Sequence, residues 1–343
     1  MVRSALCRTG SGFLDDSHAR LCGAAKEARH GRVRSFARHD REQLTRLVNA
    51  HIATATPGGS IPSATLLSQL EHPLGEHIIG PWVTDLATFV AVQRDRIVGA
   101  AHLRRYADDQ RASDGYRNTG ELVWLLCWPE HLDAGRAVRD AALAHLSRWG
   151  VRVYYGDGSL PAPGVYGVSD SWPHVRVLYE EAGFDPSGGQ VEIVYAGTID
   201  SLAVPGGPPV RGVTVQRRLG PLGTAFNAVL DGEVVGTYEI DDDLTRGGAN
   251  LAFSGWADEC NHWVRQDLRG KGIGSWLVGH AGAWLRLGGT SRLLAYAIEN
   301  EHVDRCTRHY ARCGLMPVNR TVRGWRRDAP PDRHQGDQAP RRS

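Results

Sequence analysis

Two stretches of the chain alternate apolar and polar residues on either side of a polar turn. Thr88 to Tyr106, TFVAVQRDRIVGAAHLRRY, predicts two antiparallel strands. Ala225 to Ile240, AFNAVLDGEVVGTYEI, predicts a second hairpin that turns at Asp231-Gly232. Phe89, Val92 and Gly99 match Phe226, Val229 and Gly236, each pair 137 residues apart. Further on, the apolar spacing becomes helical, with Val138, Ala142, Leu146 and Trp149 in one series and Leu277, Ala281, Trp284 and Leu285 in the other. A strand-like run follows each helix, VRVYYG from Val151 and SRLLAYAI from Ser291. Each series ends in Tyr-x-x-x-Gly and an apolar residue, YEEAGF from Tyr179 and YARCGL from Tyr310, 131 residues apart. Ordered matches at nearly constant offset favour a tandem duplication over two α/β domains that share generic patterns.

This periodicity divides the chain. Residues 1–32 show no period and read as a flexible arm. Residues 33–203 form a first lobe, the Pro/Gly-rich 204–211 a linker, and 212–327 a second lobe. The polar, proline-rich residues 328–343 read as a disordered tail. The expected fold class is α/β with mixed sheets, one fold used twice.

Composition narrows the function. A net charge of +2 over 343 residues excludes a generally basic nucleic-acid coat or a polybasic membrane binder, so neither partner is expected. Only Lys26 and Lys271 are lysines. The longest apolar stretch, Leu122 to Trp128, falls far short of the roughly 20 residues that a spanning helix needs. The N-terminus lacks a sustained apolar segment, so no secretory signal is evident. The six cysteines are scattered without a CxxC pair, which argues against a disulfide framework or structural zinc. A cytoplasmic protein with free thiols and no metal is expected.

The most informative segment runs from His262 to Leu285, HWVRQDLRGKGIGSWLVGHAGAWL. A strand ending near Val264 leads into Arg269-Gly270-Lys271-Gly272-Ile273-Gly274 and then a helix. Glycines let backbone N–H groups converge without Cβ obstruction, and the helix start adds unpaired donors and partial positive charge. Such a loop suits a pyrophosphate. No GxxxxGK[ST] is present, and the loop comes late in its lobe, unlike a dinucleotide-binding turn.

Val264-x-x-x-x-Arg269-Gly270-x-Gly272-x-Gly274 resembles the acetyl-CoA pyrophosphate motif of the GNAT N-acetyltransferase superfamily, as does the order of hairpin, strand, loop, helix, strand and helix. The resemblance covers residues 212 to 327 well and 33 to 200 more weakly, in an arrangement like that of mycothiol synthase. It implies acetyl-CoA as acyl donor, held by Val264, Arg269, Gly270, Lys271, Gly272, Ile273, Gly274 and Asn300, between two parallel strands that splay apart. It also implies direct attack of a primary amine, from a small molecule or a protein, in a ternary complex. A non-catalytic acyl-CoA-binding protein of the same fold is the alternative.

Two protons must move in that reaction. Tyr310 matches the family position of the general acid at the CoA sulfur. Asp258 and Glu259 stand where relatives place a basic carboxylate, and strand alternation lets only one face the cleft. His262 and Glu299 are further candidates. Asn300 lies farther from Tyr310 than the family spacing. At the corresponding place the first half reads GELVWLLCWPEHLDAGRAVRDAAL, Gly120 to Leu143, where only Gly135 remains beside Glu130 and Asp133. The first lobe is therefore expected to bind no pyrophosphate. Trp124, Trp128 and Trp172 are expected to pack in its core, as is Tyr179.

Overall fold

The computed structural model describes residues 32–71, 80–186, 188–245 and 251–329. The arm and tail lie outside these, apart from Arg32, Asp328 and Ala329. The first half contains β1 (Arg32–Ser35), α1 (Arg41–Ala55), α2 (Ser63–Glu71), β2 (Val83–Gln93), β3 (Arg96–Tyr106), β4 (Gly120–Cys127), α3 (Leu132–Arg148), β5 (Val153–Gly156), β6 (Val168–Ser169), α4 (Pro173–Glu181) and β7 (Val191–Thr198). The second contains β8 (Thr214–Leu219), β9 (Thr224–Leu230), β10 (Glu233–Asp241), β11 (Trp256–Val264), α5 (Ile273–Leu287), β12 (Arg292–Ile298), α6 (Val303–Cys313), β13 (Met316–Val322) and β14 (Trp325–Asp328).

Local chemistry repeats between the halves. Both hairpins turn through two residues of positive φ, Arg94 and Asp95 in one and Asp231 and Gly232 in the other. That backbone matches the right-handed twist of the flanking strands. Helices α4 and α6 both run into a left-handed glycine, Gly183 and Gly314. There the Phe184 N–H donates to the Tyr179 carbonyl and the Leu315 N–H to the Tyr310 carbonyl.

The register repeats as well. A bulge at Val123 shifts pairing with β3 between Trp124 and Leu122. A bulge at Cys260 shifts pairing with β10 between Asn261 and Glu259. Beyond each bulge the ladder is parallel for three residue pairs. These are Gly120 to Leu122 against Tyr154 to Gly156, and Trp256 to Asp258 against Arg292 to Leu294. The pairs then end while β11 continues to Val264 and β12 to Ile298, so the two strands splay.

The sheets do not respect the halves. The six-stranded sheet runs β1-β2-β3-β4-β5-β14, and the eight-stranded sheet runs β6-β13-β7-β12-β11-β10-β9-β8. Strand β7, from the first half, inserts between β12 and β13. Strand β14, from the end of the chain, pairs with β5. Each exchanged strand delivers an aromatic ring to the other lobe. Trp325 is fully buried with its ring centroid 5.5 Å from that of Tyr179. Tyr195 packs at 4.6 Å against Tyr310. One apolar core runs from the first lobe into Val194, Leu244, Phe253, Trp256, Leu294 and Trp325. The second core lies under α5 and α6.

The halves differ in cover. In the first, α1 and α2 fall between β1 and β2, and the Trp124 indole donates to Gln69 of α2. In the second, only a tight turn joins β8 to β9, closed by the Gly220 N–H on the Gly223 carbonyl. No α-helix lies between β8 and β9.

Candidate active site

The chain leaves β11 at Val264 and crosses a short turn over Gln266–Leu268. Arg269 folds back and donates from Nε to the Val264 carbonyl at 2.9 Å. Gly270 and Gly272 then adopt φ of 77° and 91°, a region costly for side chains with a Cβ. A Cβ at Gly270 would meet nothing within 4 Å, so the loop is open there, and one at Gly272 would meet Pro209 of the linker at 3.3 Å. Gly272 caps α5 without a side-chain hydrogen bond, and the first turn holds no acidic residue. Exposed Lys271 stands beside it, and Arg265 is paired with Asp267 at 2.8 Å. Uncapped first-turn amides, left-handed glycines and nearby cations fit an anionic group.

The linker forms part of this surface. Trp276 donates its indole N–H to the Gly206 carbonyl at 3.2 Å. Gly279 brings α5 close to Ala203 and Pro205, since a Cβ there would lie 3.1 Å from their backbone atoms.

At the splay, the bulge at Cys260 sets the directions of the two neighbouring carboxylates. Glu259 is buried and faces α6, where the Tyr310 hydroxyl donates to its Oε1 at 2.5 Å. The Tyr296 carbonyl lies 3.1 Å from the same hydroxyl, so Tyr310 stands between the two diverging strands. Burial pushes the Glu259 carboxyl up to about 7, against the opposing pull of the Tyr310 and Tyr238 hydroxyls. Burial, then the Glu259 charge, raises the Tyr310 phenol. Asp258 points to the other face, near Tyr296, whose ring packs 5.6 Å from Tyr166 of the first lobe.

His262 lies below Glu259, its Nδ1 3.7 Å from Oε2. Its ring meets Tyr238 edge-on at 5.0 Å and His309 at 5.0 Å. Burial, then the neighbouring His309, pushes the His262 imidazole down to about 3. Gly274 makes the packing possible, because a Cβ there would meet His262 Nε2 at 3.0 Å.

Other candidates stand apart from this cluster. Glu299 pairs with Arg320 at 2.6 Å, which holds its carboxyl below the usual range. The Asn300 side chain accepts from the His302 N–H at 2.8 Å and so shapes the turn before α6. Tyr238 and His309 were not singled out in the sequence, although a signal was present. At the offset of the repeats, Glu259, His262 and Tyr238 stand opposite Leu122, Leu125 and Ala101, and His309 stands opposite Leu178. Polar residues thus occupy places that are apolar in the first half.

The first lobe is closed at the equivalent place. After β4 a short helical turn over Pro129–His131 leads straight into α3, and no residue between Asn118 and Gly150 has positive φ. The rings of His51 and His174 meet at 3.2 Å and close on the Cys127 backbone. Gly135 packs against Cys127 and Leu178. Trp124 and Trp172 are buried in the core.

Residues 206–315 match the sequence profile described as the Acetyltransferase (GNAT) family. The chain carries a GNAT acetyltransferase domain. Its whole fold is similar to a tandem GNAT protein from the clavulanic acid biosynthesis pathway, at 17% identity and a TM-score of 0.55, over 88% of this chain and 99% of that one. A GCN5-related N-acetyltransferase from Sphaerobacter thermophilus aligns at 15% identity and a TM-score of 0.56, over 88% and 96%. These likenesses show the tandem GNAT fold. No curated protein matches the chain in sequence. Among the described residues, no helix is long and apolar enough to cross a membrane. Nor does any group of three or more His, Cys, Asp or Glu among them suit a metal ion.

Proposed function

We propose that this protein is an acetyl-CoA-dependent N-acetyltransferase, acting on a primary amine of a small molecule or protein through its second lobe alone. The observation that carries the reading is the hydrogen bond between Tyr310 and Glu259 across the splay, one helix away from an uncapped glycine loop. Acetyl-CoA supplies the thioester that the amine attacks. The amides of Ile273, Gly274 and Ser275, with Arg269 and Lys271, hold its pyrophosphate. Glu259, balanced near neutrality, takes a proton from the incoming ammonium, and Tyr310 gives one to the departing sulfur. The hydrogen bond between them lets Tyr310 recover its proton from Glu259. Asp258, on the opposite face with Tyr296 and Tyr166, meets the ammonium before it reaches the splay. Asn300 serves the turn before α6 rather than the donor.

The test is a panel of amines with acetyl-CoA, read by thiol release and by product mass. Acetyl transfer that disappears in Tyr310→Phe supports the reading. Acetyl-CoA binding without thiol release from any amine leaves an acyl-CoA-binding protein instead.

A further inference from the structure

We propose that His262 and His309 form a proton relay that carries a proton from Glu259 to the first turn of α5. The inference rests on Glu259 acting as the base. When an ammonium is acetylated, a C–N bond forms and a C–S bond breaks. The nitrogen gives up two protons, of which one ends on the sulfur and the other leaves the protein.

Glu259 has a partner for each route. Oε1 receives the Tyr310 hydroxyl, which leads toward the sulfur. Oε2 is buried, with His262 Nδ1 at 3.7 Å and the Tyr238 hydroxyl also beside the carboxylate. That distance exceeds a hydrogen bond, but such contacts tighten once substrates are bound. The far side of the His262 ring lies against Gly274 and next to His309. His309 stands beside it with ring centroids 5.0 Å apart, its Nδ1 3.4 Å from Ser275 Oγ and its Nε2 3.9 Å from Cys313 Sγ, and is itself only partly buried, so a small turn of the His309 ring is needed to take the proton from His262. An imidazole can accept at one nitrogen while releasing from the other.

The groups facing the pair are Glu259 and Tyr238 from the strands, Tyr310, Arg312 and Cys313 from α6, and Ser275 from α5. Burial keeps both rings neutral at rest, so a proton passes through them rather than staying on them. The first lobe carries Leu125 and Leu178 at these positions, beside a Leu122 that has no proton to pass.

Two measurements on the full-length chain test the relay. In the ligand-free protein, ring ¹⁵N titration should show His262 responding to the ionisation of Glu259, and Glu259→Gln should abolish that response. A His262 signal indifferent to Glu259→Gln overturns the proposal. With acetyl-CoA and the amine turned over fastest in the panel, His262→Gln and His309→Gln should each lower kcat by about tenfold, less than the hundredfold or more lost with a direct base. Added imidazole should restore part of the rate, the solvent isotope effect should rise, and acetyl-CoA affinity should stay within about twofold. Lost affinity and thermal stability without imidazole rescue would mean that the histidines only pack. If Glu259→Gln keeps full turnover, the base assignment itself fails. If Glu259→Gln is dead while His262→Gln is unaffected, only the relay fails.

Discussion

Replacing Glu259 with glutamine should make the protein more stable at alkaline pH while removing its activity. The ordinary glutamate carboxyl value is 4.5, and burial beside Tyr310 and Tyr238 raises it to about 7. Between those values the folded chain holds a proton that the unfolded chain has released. Stability therefore falls as pH rises through this window, and the loss is complete above about 8. The difference corresponds to about 3 kcal/mol. It is not discounted for solvent, because Glu259 is only 9% exposed. Glutamine keeps the shape and an acceptor for the Tyr310 hydroxyl but does not ionise. Urea unfolding of both proteins should give nearly equal midpoints at pH 5. At pH 9 the variant should be ahead by about 3 kcal/mol, with unchanged m-values. In the active enzyme the same group should set the acid limb of kcat/KM near pH 7. A stability difference that does not change with pH would refute the reasoning, since it would mean that the carboxyl titrates alike in both states.

Other outcomes follow from the same geometry. Gly272→Asp places a charged side chain in a left-handed position at the start of α5 and against Pro209, so acetyl-CoA affinity measured by calorimetry should fall by at least about a hundredfold, roughly 3 kcal/mol. Unchanged affinity would remove the phosphate role of the loop. Tyr310→Phe should cut kcat by about 10²-fold or more while acetyl-CoA affinity moves little; full turnover would leave Tyr310 a packing role. Acetyl-CoA should titrate to one site per chain, because the first lobe lacks left-handed glycines after β4; two sites would contradict its proposed silence. Trp325→Ala should cost about 3–5 kcal/mol on thermal unfolding and destabilise the first lobe, although Trp325 lies at the end of the second half.

Much of the second lobe was legible because its signals are local. Asp231-Gly232 dictates its own turn, and the glycines from Gly270 to Gly274 specify a loop before an apolar-periodic helix. Gly314 closes α6 just after Tyr310. The exchange of β7 and β14 was not legible. Val191 to Thr198 reads as a strand, but its local pattern does not say which sheet or which neighbours receive it; Val194 and Tyr195 are both buried, one in each core. The bulge at Cys260 was hidden for a similar reason. One extra residue changes which carboxylate faces α6 without changing composition, so Asp258 and Glu259 stayed interchangeable until the register with Ile240 was known. His309 was hidden because a half-buried histidine on a helix has no sequence mark. Only comparison with Leu178 in the other half gives it one.

The exchange also ties the second lobe's candidate site to strands of the first half. Tyr310 does not stand on its own lobe's residues alone. Its ring rests on Tyr195, whose hydroxyl shares a hydrogen bond with Thr307 of α6 at 2.7 Å. Tyr195 belongs to β7, a strand of the first half whose pairing with β12 and β13 fills the middle of the second sheet. Removing the first lobe would therefore strip two central ladders from the second and release the ring that orients Tyr310. The corresponding interior of the first lobe, at Leu122, Leu125 and Leu178, is apolar, and a short helical turn stands where the second lobe has its glycine loop.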